Sequence, residues 1–346
     1  MNLFCLLRKM KLLRVKPSFF CLLSLLFFSA FVFSQQTEIV DFISVKAVVR
    51  PLLKEKKIIA NASYTFKILK KCDSVYLDAK GIFLLKNIKN HKIAVILKNK
   101  KIWFVSNFKP NQTYTVSFEY ETSPKKALYF LDHQIWTQGQ GKYTSNWLPS
   151  IDDMNDKIEF DISYIIPSDK TIVANGKLVA VTDNGNVKKW SFNMEHPMSS
   201  YLVSFAVGDF SKKTIVSSSN IHMELYYPTS DSLLIEPTYR YSKRIFDFLE
   251  NEIGVDYPWQ NYKQVPLKDF LYAGMENTSA TFFSDAFIVD SIGFVDRNYV
   301  NVNAHELAHQ WFGNLVTETS SESHWLHEGF ASYYALLAEK EVFGED

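Results

Sequence analysis

Apolar and polar positions alternate with a period of two along the early part of the chain. Ser63 to Ile68, Lys92 to Leu97, Tyr114 to Tyr120 and Ile158 to Ile165 are short apolar or alternating runs broken by turn residues, as half-buried strands are. Asn184 and Gly185, set between two alternating stretches, mark a hairpin turn. After residue 230 the period lengthens. Pro237 falls in a first turn, Tyr241, Ile245, Phe248 and Leu249 make one apolar stripe, and Gly254 follows as a stop. The pattern predicts an α+β chain, with a β domain over 35–212 and a second domain over 213–346 in which helices appear. Neither a repeat nor a low-complexity linker separates the two, so they are expected to pack along a shared cleft.

Residues 1–34 carry a different pattern. Arg8, Lys9, Lys11, Arg14 and Lys16 stand without an acid and precede an apolar run from Phe19 to Phe33, which reads as a secretory signal peptide and implies an exported protein, periplasmic, secreted or at the cell surface. An uncleaved membrane anchor is the alternative, although the run is shorter than the ~20 residues a span needs. Cleavage would remove Cys5 and Cys21 and leave Cys72 alone, so no internal disulfide is expected and stability must come from packing. Five of the 38 basic residues and none of the 37 acidic ones lie in the leader, so its removal takes the net charge from +1 to about −4. That balance argues against nucleic acid as a partner. Lys86, Lys89, Lys92, Lys98, Lys100 and Lys101 are interleaved with apolar residues and fit a solvated sheet face better than a binding patch.

The chemistry concentrates near the far end. His305, Glu306 and His309 stand in HELAH, and Glu328 follows after 18 intervening residues in WLHEGFA. A helix puts residues four apart on one face, so His305 and His309 can offer two imidazole nitrogens to one zinc ion. Glu306 lies beside them as general base, and Glu328 supplies a third ligand, leaving a fourth position open. Ala304, Leu307, Ala308, Trp311 and Phe312 make the surrounding turns apolar, so the polar residues are carried into a buried helix and need compensation, which a metal gives.

Ala273, Gly274, Met275, Glu276 and Asn277 form a second motif, AGMEN. Together with HELAH, WFGNLVT from Trp311, WLHEGFA from Trp325, TQGQ at Thr137 to Gln140, WLPSIDD from Trp147 and MSSYLVSFAVGDF from Met198, it makes the chain resemble the gluzincin aminopeptidases of the aminopeptidase N type. The resemblance covers nearly all of the chain after the leader. It implies a saddle-like β-sheet domain followed by the first part of a thermolysin-like mixed α/β zinc peptidase domain. It also implies one zinc ion and peptide substrates with a free N-terminus. In the family the motif glutamate binds the substrate's α-amine, which falls to Glu276 here, with Gln140 helping. The backbone at Ala273 and Gly274 would align the peptide, and Met275, Asn277 and Gln138 belong to the same substrate-binding region.

Three departures qualify the resemblance. The glycine of the family's GxMEN has moved from the place of Ala273 to Gly274. His327 stands where the family usually has Asn, and Ser320 to Ser323 replace aromatic and acidic residues. His324 and His327 are expected to be helix-start and surface residues, not further ligands. The family's catalytic tyrosine comes well downstream of the third ligand, and only 18 residues follow Glu328, with Tyr333 and Tyr334 too near it for that role. The expectation is therefore a fragment of a zinc aminopeptidase, weak by itself and with apolar helix surface exposed. An inactive zinc- or peptide-binding remnant is the alternative. One branch of the family's relatives opens a lipid epoxide on the same metal, but nothing in the residues favours a lipid pocket.

Overall fold

The computed structural model describes residues 36–88 and 92–345, so the leader at 1–34 and Lys89 lie outside the described residues. Alternation does form strands. The strand Lys57–Ile68 buries every second side chain, and it lies at the middle of a large sheet. From edge to edge that sheet runs Lys177–Asp183, Val187–Asn193, Lys157–Pro167, Val40–Leu52, Lys57–Ile68, Thr113–Thr122 and Ile82–Ile88, with Met198–Ser199 paired to its third strand. Only Val40–Leu52 with Lys157–Pro167 is a parallel pair. The hairpin at Asn184 and Gly185 closes as the sequence predicts, with Gly185 at φ 79°.

A three-stranded sheet of Cys72–Asp78, Lys101–Phe108 and Ala94–Lys98 packs on this one through aromatic rings. Phe66 stacks on Phe104 at 5.7 Å and meets Phe108 edge-on at 5.7 Å, and all three are fully buried. Lys92, Lys98 and Lys100 are exposed, as a solvated face requires. Tyr120 on the large sheet donates from its hydroxyl to the Trp147 carbonyl at 3.0 Å, and Tyr64 donates to Pro149 O. Those two bonds tether the loop between Gln138 and Asp152, which carries Gln140.

The strand Phe210–Val216 opens the next sheet, in the order Phe210–Val216, His222–Pro228, Tyr262–Leu267, Ala280–Ser284 and Gly274–Met275. His222–Pro228, Tyr262–Leu267 and Ala280–Ser284 run parallel, with helical connections between the first two. The predicted stripe forms on one helix, Ser242–Ile253, with Tyr241 at its N-cap and Gly254 ending it in the left-handed conformation at φ 71°, but Pro237 belongs to a separate short helix, Ile235–Tyr239. Ser242, Gln264 and Asn303 close a buried triangle of hydrogen bonds, at 3.1, 2.7 and 2.9 Å, that ties this helix and the central strand to the helix Val300–Ala308. The last helix, Trp325–Phe343, packs on Val300–Ala308, yet Trp325, Phe330, Tyr333, Leu336 and Phe343 on it are exposed, as the sequence suggests.

Two buried groups lock the β-rich part to the later sheet. Asn175 donates to Thr278 O at 2.7 Å and to Leu202 O at 2.9 Å. Lys263, 1% exposed, donates to Ala174 O at 2.9 Å and to Gly176 O. Burial pushes the Lys263 ammonium down from 10.5 to about 7. Between those values the unfolded chain holds a proton that the folded chain does not, so this group makes stability rise with pH from about 7 to about 10.5. Lys263→Met should remove that slope from thermal melts, and near neutral pH it should cost ~1–3 kcal/mol by stripping a donor from two buried carbonyls. A variant with the same slope as the parent would contradict the assignment.

Candidate zinc and peptide site

HELAH folds as predicted, but the helix is short. Val300–Ala308 contains His305 and Glu306, while His309 is the capping residue, still helical at φ −58°. Trp311 and Phe312 fall in the turn that follows. The imidazoles meet edge-on with ring centroids 4.7 Å apart and Nε2 atoms 3.1 Å apart. Glu328, in the first turn of Trp325–Phe343, brings Oε2 to 3.3 Å from His305 Nε2 and 3.8 Å from His309 Nε2. A tetrahedral zinc with bonds of ~2.0–2.2 Å needs ligand atoms roughly 3.3–3.6 Å apart. The three separations, 3.1 to 3.8 Å, bracket that range, and the donor types suit the ion.

The surroundings prepare these ligands. His309 Nδ1 lies 3.0 Å from the Phe312 carbonyl, which fixes its proton there and leaves the Nε2 lone pair for a metal. Burial pushes His309 down to about 4, so the ring is neutral at ordinary pH. Hydrogen bonds with His305 and then His324 hold the Glu328 carboxyl well below the usual range, in its ligating form. Glu306 behaves oppositely. Burial, followed by the charges of Glu276 and Glu328, raises it well above an ordinary glutamate. Burial likewise raises Glu276.

Gln140, Ala273, Gly274, Glu276, His305, Glu306, His309 and Glu328 all line one cavity of about 350 Å³, joined by Tyr272, Asn301 and Val302. Carboxylate oxygens of Glu276 and Glu306 and a nitrogen of His309 lie within 4.8 Å of one another. Glu276 Oε1 is buried without a hydrogen-bond partner among the described residues. Met275 and Asn277 sit behind this wall instead. Met275 is 1% exposed with its sulfur 3.5 Å from Gln138 Nε2, and Asn277 is fully buried. Gly274–Met275 is an edge strand paired to Phe282 and Phe283, so it presents a free backbone edge.

The displaced glycine has a physical reason in this chain. A Cβ built at Gly274 would sit 2.2 Å from Glu306 Oε1 and 2.5 Å from Glu306 Cδ, so the motif backbone lies directly on the buried carboxyl. Gly139 in TQGQ is similarly confined: a Cβ built there would sit 2.4 Å from Tyr201 O, so only glycine fits the turn that delivers Gln140.

Several residues position the site without being singled out by the sequence pattern, although Asn314 and Tyr201 lie inside its motifs WFGNLVT and MSSYLVSFAVGDF. Gln310 and Asn314 donate to the Glu276 carbonyl at 3.1 and 2.8 Å, and Ser279 N donates to Gln310 Oε1 at 2.9 Å, fastening AGMEN to the His-bearing helix. Tyr201, inside MSSYLVSF, buries a hydroxyl without a hydrogen-bond partner within electrostatic reach of Glu276, Glu318 and Glu328. The expectation for His327 is overturned. It is 3% exposed, not a surface residue, and turns Nε2 to the buried Glu318. His324 is half-buried at the start of its helix and reaches Glu328, Gln140 and Glu318.

Residues 44–202 match the peptidase M1 N-terminal domain, and residues 238–346 match the peptidase family M1 domain. The chain is 32% identical to glutamyl aminopeptidase of Rattus norvegicus over 194 residues, 55% of this chain and 20% of that protein. It is 32% identical to leucine aminopeptidase 2 of Yarrowia lipolytica over 214 residues, 62% of this chain and 30% of that protein. Against probable aminopeptidase 1 of Sulfurisphaera tokodaii it is 26% identical over 284 residues, 78% of this chain and 35% of that protein. The chain thus spans about a fifth to a third of the length of these relatives.

Gly274→Ala should force the Glu306 carboxyl out of its place and lower stability by ~1–3 kcal/mol. Ala273→Gly, one residue away, should leave Glu306 undisturbed. Thermal melts with crystal structures of both variants check this, and an unmoved Glu306 in Gly274→Ala would refute the packing argument.

Proposed function

The chain belongs to the peptidase M1 family, and on that premise we propose that its site serves a zinc aminopeptidase, hydrolysing the first peptide bond of peptides with a free N-terminus. The carrying observation is a charge imbalance. Glu276, Glu306 and Glu328 face one cavity whose described lining includes no lysine or arginine. A divalent ion and one substrate ammonium are the charges that complement three carboxylates.

Zinc held by His305, His309 and Glu328 would act as a Lewis acid on the scissile carbonyl and acidify the attacking water. Glu306 accepts the water's proton and passes it to the departing amine, and its raised proton affinity suits both steps. Glu276 binds the substrate ammonium as a charge-assisted partner, with Gln140 on the opposite wall. The free edge at Ala273 and Gly274 supports the peptide as an added strand. Met275, behind that edge and against Gln138, shapes the wall near the first side chain, and Asn277 lies in the core behind it. The leader pattern at 1–34 supports export as the setting of this activity.

Peptides with free and acetylated N-termini, assayed on the purified protein, test this reading. Free-amine peptides alone should be cleaved, and a chelator should abolish turnover. Glu306→Gln should lower kcat by roughly 10²- to 10⁴-fold. Equal cleavage of blocked peptides would contradict the role of Glu276, and turnover indifferent to chelation would contradict the role of zinc.

A further inference from the structure

Beyond the HELAH centre lies a second group with metal-binding chemistry. Ligand atoms of Glu318, His324 and His327 fall within 4.8 Å of one another. Their arrangement parallels that of His305, His309 and Glu328. The two rings meet edge-on, with centroids 5.3 Å apart and planes at 70°, against 4.7 Å and 77° for His305 and His309. His324 Nδ1 lies 3.2 Å from Glu318 Oε1, and His327 Nε2 faces Glu318 Oε2.

The protein's own hydrogen bonds leave this group unsatisfied. His327 Nε2 faces both the Glu318 backbone N–H, at 3.0 Å, and the Glu318 carboxylate, and one nitrogen cannot accept from the first while donating to the second. Glu318 Oε2 and His327 Nδ1 are accordingly buried without hydrogen-bond partners among the described residues. The side chains of Glu318 and His327 are 2% and 4% exposed, so bulk solvent does not reach them. No lysine or arginine forms an ion pair with Glu318 among the described residues.

We propose that Glu318, His324 and His327 form a second metal site that takes a divalent ion of the zinc class. One carboxylate and two imidazoles are the donors such ions favour, with the fourth position open to a ligand. His324, 33% exposed at its side chain, is the door. It lines a cavity of about 520 Å³ with Gln140, Asp152, Tyr201, Ser321 and Glu328, which gives an ion a route in. Coordination through His324 Nδ1 leaves Nε2–H to donate to Glu328 Oε1, 3.4 Å away. That is the bond by which an outer group orients a metal ligand, so the second ion would act on the first site through Glu328.

This proposal is independent of the aminopeptidase reading and is tested by metal binding alone. Metal-free protein is given one equivalent of Zn²⁺ and then titrated with Co²⁺, with the visible d–d absorption as readout. The parent protein should take up one equivalent of Co²⁺ with a tetrahedral spectrum. Glu318→Gln and His327→Ala should keep the first equivalent of Zn²⁺ and bind Co²⁺ at least about tenfold more weakly. His324→Gln, at a half-exposed position, gives the same reading if the buried variants fail to fold. Uptake of a single metal by the parent at any concentration, or an unchanged Co²⁺ spectrum and affinity in the variants, would overturn the proposal.

Discussion

Buried negative charge is the constraint on which this structure turns. Glu276 and Glu306 are almost wholly buried, and Glu328 joins them at the same cavity. Isolated carboxylates in such surroundings cost several kcal/mol each unless a cation or a proton meets them. Burial makes Glu276 and Glu306 hold protons more tightly than usual, while Glu328, hydrogen-bonded to His305 and His324, stays ionised. One arrangement therefore separates the ligating carboxylate from the carboxyl groups fitted to proton transfer and amine binding.

The scaffold holds this cluster by rigid means. The Ser242, Gln264 and Asn303 triangle fixes the His-bearing helix on its sheet, and Gln310 with Asn314 pins the Glu276 backbone to the turn after it. From the other side Asn175 and Lys263 clamp the β-rich part to the sheet that carries AGMEN. Each of these groups is buried, so losing one leaves a partner without a hydrogen bond and not merely a weaker contact. The fixed placement on which chemistry between ligands and general base depends follows from these buried bonds.

What was legible in the chain beforehand was whatever local periodicity carries. Strand alternation, the stop at Gly254 and the i, i+4 pair His305 and His309 depend on residues close in sequence, and the fold realises each of them. Glu328 and Glu276 were legible as members of spaced motifs. Lys263, Asn175 and Gln310 were not, because the partners that fasten them lie 27 to 103 residues away and a buried lysine or amide looks like any other. His327 was misjudged for the same reason. Its surroundings are set by Glu318, nine residues earlier across a turn, and not by its own helix. The break at Arg240 and Tyr241 is likewise absent from the pattern, which reads Pro237 as the first turn of the helix that carries the stripe.

The account stands or falls on a cation at the centre of the three ligands. Anomalous diffraction at the zinc edge from crystals of the zinc-loaded protein measures it directly. A peak ~2.0–2.2 Å from His305 Nε2, His309 Nε2 and a Glu328 oxygen together is the predicted result. A zinc-saturated crystal with no peak between those three atoms would contradict it.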